Sequence, residues 1–168
     1  MKRETVRGRP DTRSGTAKRR AAAAPRRAPS SARLMAGAER ARRRAYAPYS
    51  RFKVGAALLL ADGTIVHGSN IENASYGLSV CAERTALWRA VLDGRRDFVA
   101  IAVAAGPRTS ASPCGACRQV LHEFAPGILV IWRDARGRIV RRPLARLLAD
   151  AFDFGRRPPA APRARSAR

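Results

Sequence analysis

Three cysteines stand at positions from which they could bind one metal ion together. Cys81 begins one predicted helix, and Cys114 and Cys117 form a C-x-x-C motif at the start of another. The unpaired N–H groups and the positive dipole end of a helix N-terminus favour the thiolate, which is the form that binds metals. Three thiolates would leave the fourth position of a tetrahedral zinc open, as in catalytic zinc sites. Three buried core cysteines, or a redox C-x-x-C, are the alternative interpretations.

Two charged residues follow Cys81 directly. Three thiolates give the zinc site a net negative charge, so the metal is a poor Lewis acid and needs help to activate water. Glu83 can point toward the open position as a proton shuttle, and Arg84 could donate hydrogen bonds to the sulfurs and offset their charge. The alternatives are a carboxylate that only interacts with the helix dipole and a solvated surface arginine.

The elements that must position these residues alternate between helices and strands. Helical spacing and strong helix formers predict helices over 36–46, 81–92 and 114–124, with a last short helix beginning at 144. Apolar runs bounded by turn residues predict strands over 52–60, 65–71, 98–105, 128–132 and 138–141. The first two strands flank Asp62-Gly63 and are predicted to form a hairpin. This order of elements predicts an α/β fold with a mixed sheet layered by helices.

Length and composition indicate one folded domain. The chain has 168 residues, of which 46% are hydrophobic, and it contains no apolar run of the length of about 20 residues that a membrane span needs. An odd count of three cysteines does not fit a disulfide framework. We therefore expect reduced cysteines and a cytoplasmic protein without a membrane partner.

The formal charge of +22 is concentrated at the two ends of the chain. Residues 1–34 hold 11 Lys and Arg against two acids, and residues 155–168 hold five Arg and no acid. Both segments are expected to be disordered, leaving 35–154 as the folded domain. The N-terminal segment is open to three interpretations: an extension without function, present only if translation starts at Met1 rather than Met35, an arm that binds polyanions such as nucleic acid, or an organelle transit peptide.

Four longer motifs carry a family resemblance. They are the segments YAPYSRFKVGAA at 46–57, GSNIENASYG at 68–77, CAERTA at 81–86 and SPCGACRQ at 112–119. In this order they resemble the homotetrameric, zinc-dependent cytidine deaminases, over about residues 36–152. The resemblance implies a three-layer α/β/α fold with a mixed five-stranded sheet, one Zn²⁺ per chain and a homotetramer.

The resemblance also implies a role for individual residues. It implies zinc on Cys81, Cys114 and Cys117, and Glu83 as the general acid and base. Asn70 and Glu72 would bind the ribose hydroxyls. The remaining substrate contacts would come from the Phe52 ring, backbone near Ala82, the neighbourhood of Tyr76 and, from a neighbouring subunit, Phe152. The family usually has Leu-Leu-Pro where this chain reads LLA at 147–149. Without the resemblance, Phe52 would be a core residue and Asn70 a turn residue, although strand alternation places Asn70 and Glu72 on one face.

The implied reaction is hydrolytic deamination of cytidine and deoxycytidine to uridine and deoxyuridine, with release of ammonia, as in pyrimidine salvage. Water on the zinc would be the nucleophile and Glu83 the proton shuttle. A deaminase of tRNA or single-stranded DNA is an alternative that the basic charge supports. Two observations argue against this alternative. The first zinc ligand of polynucleotide deaminases is more often His, whereas this chain has Cys81, and Glu72 would repel a phosphate attached to the sugar. A blasticidin-type antibiotic deaminase and a non-catalytic zinc module are further alternatives.

Overall fold

The computed structural model describes residues 30–106, 109–153 and 155 of the chain. Helices and strands follow in the predicted order: α1 (Ser31–Arg42), β1 (Gly55–Leu60), β2 (Ile65–Ser69), α2 (Ala82–Leu92), β3 (Phe98–Ala104), α3 (Gly115–Phe124), β4 (Leu129–Arg133) and β5 (Ile139–Pro143). A 3-10 turn at Tyr76–Leu78 precedes α2, and a second one at Leu144–Arg146 follows β5. The second replaces the predicted last helix.

All five strands belong to one mixed sheet in the order β2-β1-β3-β4-β5. β1 pairs antiparallel with β2 and with β3, β3 pairs parallel with β4, and β4 pairs antiparallel with β5. A parallel pair needs a crossover connection, and α3 supplies it between β3 and β4. The mixed five-stranded sheet is therefore confirmed.

Helices cover both faces of this sheet. Side chains of a strand alternate between the faces: Ala56 and Leu58 of β1 pack in the core that includes residues of α2 and α3, whereas Ala57 and Leu59 pack with α1. Every residue of β1 is buried as a result. This explains why its sequence is a continuous apolar run rather than an alternating one, and it confirms the three-layer α/β/α fold.

The first helix begins earlier than the sequence suggested. It starts at Ser31 rather than at residue 36, and the Ser30 hydroxyl caps it by accepting a hydrogen bond from the Arg33 N–H at 3.3 Å. Leu34 and Met35 pack against the sheet, and each is only 1% exposed to solvent. Residues 31–34, which we placed in the basic extension, therefore belong to the folded domain. The arginine-rich sequence around them favoured a disordered segment over a helix, so the Ser30 cap and the apolar pair Leu34 and Met35 were not recognised.

A close approach between β2 and α2 fixes the helix that begins beside Cys81. A Cβ added to Gly68 would lie 2.9 Å from the Ala86 Cα, and nearer still to the Ala82 carbonyl oxygen and the Ala86 nitrogen. Only a glycine lets the helix backbone rest directly on the strand here. Gly55 of β1 has the same relation to α1.

The expected basic flanks lie mostly beyond the described part of the chain, which leaves out residues 1–29 and 156–168. Among the described helices, none has the length and apolar character needed to cross a membrane.

Candidate active site

The three cysteine sulfurs converge between the N-termini of α2 and α3. All three Sγ atoms lie within 4.8 Å of one another, and those of Cys81 and Cys114 are 4.0 Å apart. Tetrahedral zinc with Zn–S bonds of about 2.3 Å places its sulfurs about 3.8 Å apart. The spacing and the soft sulfur donors therefore fit a zinc ion held by Cys81, Cys114 and Cys117.

Local structure explains how the sulfurs reach this point. Cys81 and Cys114 are the N-cap residues of α2 and α3, and neither makes a side-chain capping bond. Cys117 lies in the first turn of α3 and is fully buried. The pKa of Cys81 is lowered to about 5, chiefly by a hydrogen bond with Cys117 and in addition by the nearby Arg84 guanidinium. Cys81 is thus ready to act as a thiolate ligand.

Arg84 lies against the sulfurs rather than in solvent. Its Nη2 is 3.6 Å from the Cys81 Sγ and donates to the Ser79 carbonyl at 3.2 Å. The guanidinium carbon lies 5.7 Å from the centroid of the Trp88 ring. This arrangement fits the predicted role of offsetting the thiolate charge.

Glu83 is the one buried charged residue among the described residues, with 4% of its surface exposed. Burial is the main reason that its pKa rises to about 7, and the neighbouring Cys81 raises it further. Glu83 nevertheless lines an open cleft together with Cys81 and Cys114. A carboxyl group that is desolvated but reaches a cleft can exchange protons with a ligand there.

The cleft has a volume of about 470 Å³ and brings most of the predicted substrate residues together. Its described lining consists of Tyr49, Ser50, Phe52, Val54, Asn70, Ile71, Glu72, Tyr76, Ser79, Val80, Cys81, Glu83, Val103, Ser110, Ala111, Ser112 and Cys114. Phe52 is 47% exposed, so it is a wall of the cleft and not a core residue. Tyr76 is 73% exposed, and its ring meets that of Tyr49 edge-on with centroids 6.0 Å apart.

Asn70 and Glu72 hold the loop that precedes β1. The Asn70 Oδ1 accepts from the Val54 N–H at 2.8 Å, and its Nδ2 donates to the Phe52 carbonyl at 2.9 Å. The Glu72 Oε2 accepts from the N–H groups of Tyr49 and Ser50 at 2.9 and 3.2 Å.

The Ser50 hydroxyl also donates to the Glu72 Oε1, and this bond is the main cause of the lowered pKa of Glu72. The lowered pKa keeps Glu72 ionised, as an acceptor. A carboxylate has about four acceptor positions, so Glu72 retains capacity for a ligand hydroxyl.

Two of the predicted substrate-binding residues lie outside the described lining of the cleft. Ala82 is fully buried in the first turn of α2, above Gly68. Phe152 lies beyond β5 with 64% of its surface exposed, and its backbone is bonded to the Gln119 side chain.

Our sequence reasoning assigned no role to Arg118, which supports the metal-binding loop. Its guanidinium donates to the Pro113 carbonyl at 2.8 Å, to the Ser112 Oγ at 3.2 Å and to the Leu147 carbonyl at 2.8 Å. The residue lay within a recognised motif, but its long-range partner at 147 had no signal in the sequence.

Comparison with known proteins agrees with this geometry. The family model described as the cytidine and deoxycytidylate deaminase zinc-binding region matches residues 29–132. The cytidine deaminase of Sporosarcina psychrophila is 51% identical over 121 residues, which are 71% of this chain and 89% of that protein. The chain belongs to this deaminase family.

Solved structures of the deaminase family share the fold. The crystal structure of cytidine deaminase from Burkholderia pseudomallei aligns with a TM-score of 0.69 at 49% identity, covering 72% of this chain and 98% of that one. The enzyme from Mycobacterium tuberculosis aligns with a TM-score of 0.65 at 40% identity, covering 73% and 97%. The family model is that of a zinc-binding region, and in the part of the chain that the structure describes, Cys81, Cys114 and Cys117 form a cluster that could hold the metal.

Proposed function

We propose that this chain catalyses the hydrolytic deamination of cytidine and deoxycytidine in pyrimidine salvage. Water and the nucleoside are consumed, and uridine or deoxyuridine and ammonia are formed. The observation that carries the proposal is the buried Glu83, which lines one cleft with two of the three clustered thiols. Relatives named cytidine deaminase, at 51% and 52% identity, support the substrate class.

In the proposed reaction, Glu83 moves protons between water and the base. It removes a proton from the attacking water as the oxygen bonds to C4 of the cytosine ring, and it delivers that proton to N3. It then passes the second water proton to the amino group, so that the C4–N4 bond breaks and ammonia leaves. Zinc on the three sulfurs would supply a Lewis acid that polarises the attacking oxygen. The Arg84 guanidinium offsets part of the thiolate charge.

The nucleoside would bind along the rest of the cleft. The Phe52 ring would pack against it, and Asn70 and Glu72 would bind the ribose hydroxyls from their anchored positions. Tyr76 and backbone groups near Ala82 would help to orient it, and Phe152 of a second copy would cover the base.

The electrostatics of the cleft favour an uncharged nucleoside over phosphate-bearing substrates. Its described lining includes the carboxyl groups of Glu72 and Glu83 and no Lys or Arg. A polynucleotide, or a nucleoside monophosphate, would bring phosphate toward the Glu72 carboxylate, and the described lining offers no basic side chain to pair with it. The excess positive charge of the chain lies chiefly in its flanks.

One assay separates the candidate substrates. The purified chain is incubated with cytidine, deoxycytidine, deoxycytidylate, blasticidin S and a cytosine-containing oligonucleotide, and ammonia release is followed. We expect turnover of the two nucleosides. Blasticidin S is included because a Blasticidin-S deaminase from Bacillus cereus is 30% identical over 107 residues. Turnover of the oligonucleotide alone, or of blasticidin S alone, would contradict the proposal.

The role of Glu83 is tested by Glu83→Gln, which keeps the size of the side chain and removes the proton carrier. We expect wild-type zinc content and a kcat lower by about 10²- to 10⁴-fold. Cys114→Ser is the matched variant and should instead lower the zinc per chain. Near wild-type turnover by Glu83→Gln would exclude Glu83 as the shuttle.

We also propose that the protein is a cytoplasmic homotetramer. Three large apolar side chains that line a second pocket beside the cleft are exposed in the single chain: Ile71 at 49%, Leu78 at 68% and Trp88 at 44%. Adjoining exposed apolar surface favours association with further copies. Light scattering of the purified chain should give four times the monomer mass, and a stable monomer would contradict the assembly.

A further inference from the structure

The side-chain amide of Gln119 is paired with the backbone of Phe152. Gln119 Nε2 donates to the Phe152 carbonyl at 2.8 Å, and the Phe152 N–H donates to Gln119 Oε1 at 3.2 Å. This is the exchange of two bonds that opposite residues make in an antiparallel sheet. The amide thus gives residue 152 a strand-like partner across 33 residues of sequence.

The segment that carries Phe152 has no helix or strand of its own to hold it. Residues 147–153 lie beyond the Leu144–Arg146 turn and form no regular structure. Two consecutive side chains of α3 reach this segment, because Arg118 donates to the Leu147 carbonyl at its start and Gln119 bonds to Phe152 near its end. Since α3 also carries Cys117, the position of Phe152 is tied directly to the helix that holds the metal site.

We propose that Gln119 is a positioning residue for substrate binding, which it controls by fixing the backbone of Phe152. The inference rests on the proposed function, in which Phe152 covers the base of a nucleoside. Gln119 itself lies outside the described lining of the cleft, so its effect passes through Phe152. Phe152 is 64% exposed in the single chain, and an aromatic residue presented in this way needs an ordered backbone to reach a fixed place.

The test is a double-mutant cycle on the full-length zinc enzyme with Gln119→Ala, Phe152→Ala and both together. Loss of two hydrogen bonds predicts that Gln119→Ala raises KM for cytidine about tenfold. We expect kcat and zinc per chain to stay near wild type. In the Phe152→Ala background, Gln119→Ala should raise KM no further, because the group through which it acts is gone. Glu123→Ala, an exposed position one turn along α3, is the matched control.

Gln119→Glu separates positioning from a general contribution to helix stability. Glu and Gln have similar helix propensities, so a residue that only supports the helix would tolerate the change. A carboxylate still accepts from the Phe152 N–H, but it repels the Phe152 carbonyl. We therefore expect Gln119→Glu to raise KM at least as much as Gln119→Ala does. A wild-type KM for Gln119→Glu would overturn the inference.

Hydrogen exchange makes the result independent of activity. The Phe152 amide should exchange faster in Gln119→Ala than in the wild type or the Glu123→Ala control. Unchanged exchange, or a KM increase that persists fully in the Phe152→Ala background, would overturn the positioning role. A third outcome is possible: Phe152→Ala leaves KM unchanged, while the Phe152 amide exchanges faster in Gln119→Ala. In that case Phe152 does not contact the substrate and the proposed effect of Gln119 on binding is wrong. Gln119 would still anchor the Phe152 backbone.

Discussion

Replacement of Gly68 by alanine tests whether the contact between β2 and α2 positions Cys81 and Glu83, the proposed metal ligand and proton shuttle. The added Cβ would lie 2.9 Å from the Ala86 Cα, whereas carbon atoms pack at about 3.5–4.0 Å. The three nearest atoms all belong to the backbone of α2 and not to a flexible side chain. The start of α2 must therefore move by about 1 Å.

This movement has two measurable consequences. Overpacking of this kind costs about 3 kcal/mol of unfolding free energy, which for a domain of this size lowers Tm by about 10 °C. Because Cys81 and Glu83 lie at the displaced end of α2, a misplacement of about 1 Å should also lower kcat about 100-fold.

Thermal unfolding and steady-state kinetics on cytidine measure the two effects. Gly127→Ala is the matched control, since an added Cβ there meets nothing within 4 Å and the backbone does not have positive φ. The control should keep wild-type values. A Gly68→Ala enzyme with unchanged Tm and kcat would refute the reasoning that this contact sets the position of α2.

Two further predictions concern arginine contacts. Arg118→Ala should lower zinc affinity about tenfold in a competition assay with a chromogenic chelator, because the Pro113 carbonyl next to Cys114 loses its donor. Arg118→Lys should recover little of this affinity, since an ammonium group cannot span three acceptors. Wild-type zinc affinity in Arg118→Ala would contradict this role. Hydrogen bonding to Arg95 lowers the pKa of Asp62 to about 2, so this pair stabilises the fold above about pH 4 and the contribution is lost as the pH falls toward 2. The two side chains are 33% and 49% exposed, so Asp62→Asn should cost only about 0.5 kcal/mol in urea unfolding at pH 7. An equal cost at pH 3 and pH 7 would show that the carboxylate charge is not responsible.

The elements that carry the chemistry were predictable from the sequence, and their ends were less so. Short-range signals placed Cys81 and Cys114 at helix starts, where the structure has them as N-caps. The first predicted strand was too long at its start: β1 begins at Gly55, and the three preceding residues form the loop that Asn70 holds. Local apolar character could not reveal this, because Phe52 lines the cleft and Val54, which packs against the core, also lines it.

The sequence by itself determined which groups are present for chemistry and which of them share a helix end. These properties depend on neighbours within one turn, such as the single residue that separates Cys81 from Glu83 or the C-x-x-C spacing of the second helix. Only the tertiary structure decided that the two helix ends meet with sulfurs 4.0 Å apart. It also decided that Arg118 and Gln119 hold a segment about 30 residues away. Such contacts arise from the parallel pairing of β3 with β4 and from the packing of α2 on Gly68, and no local pattern of residues encodes them.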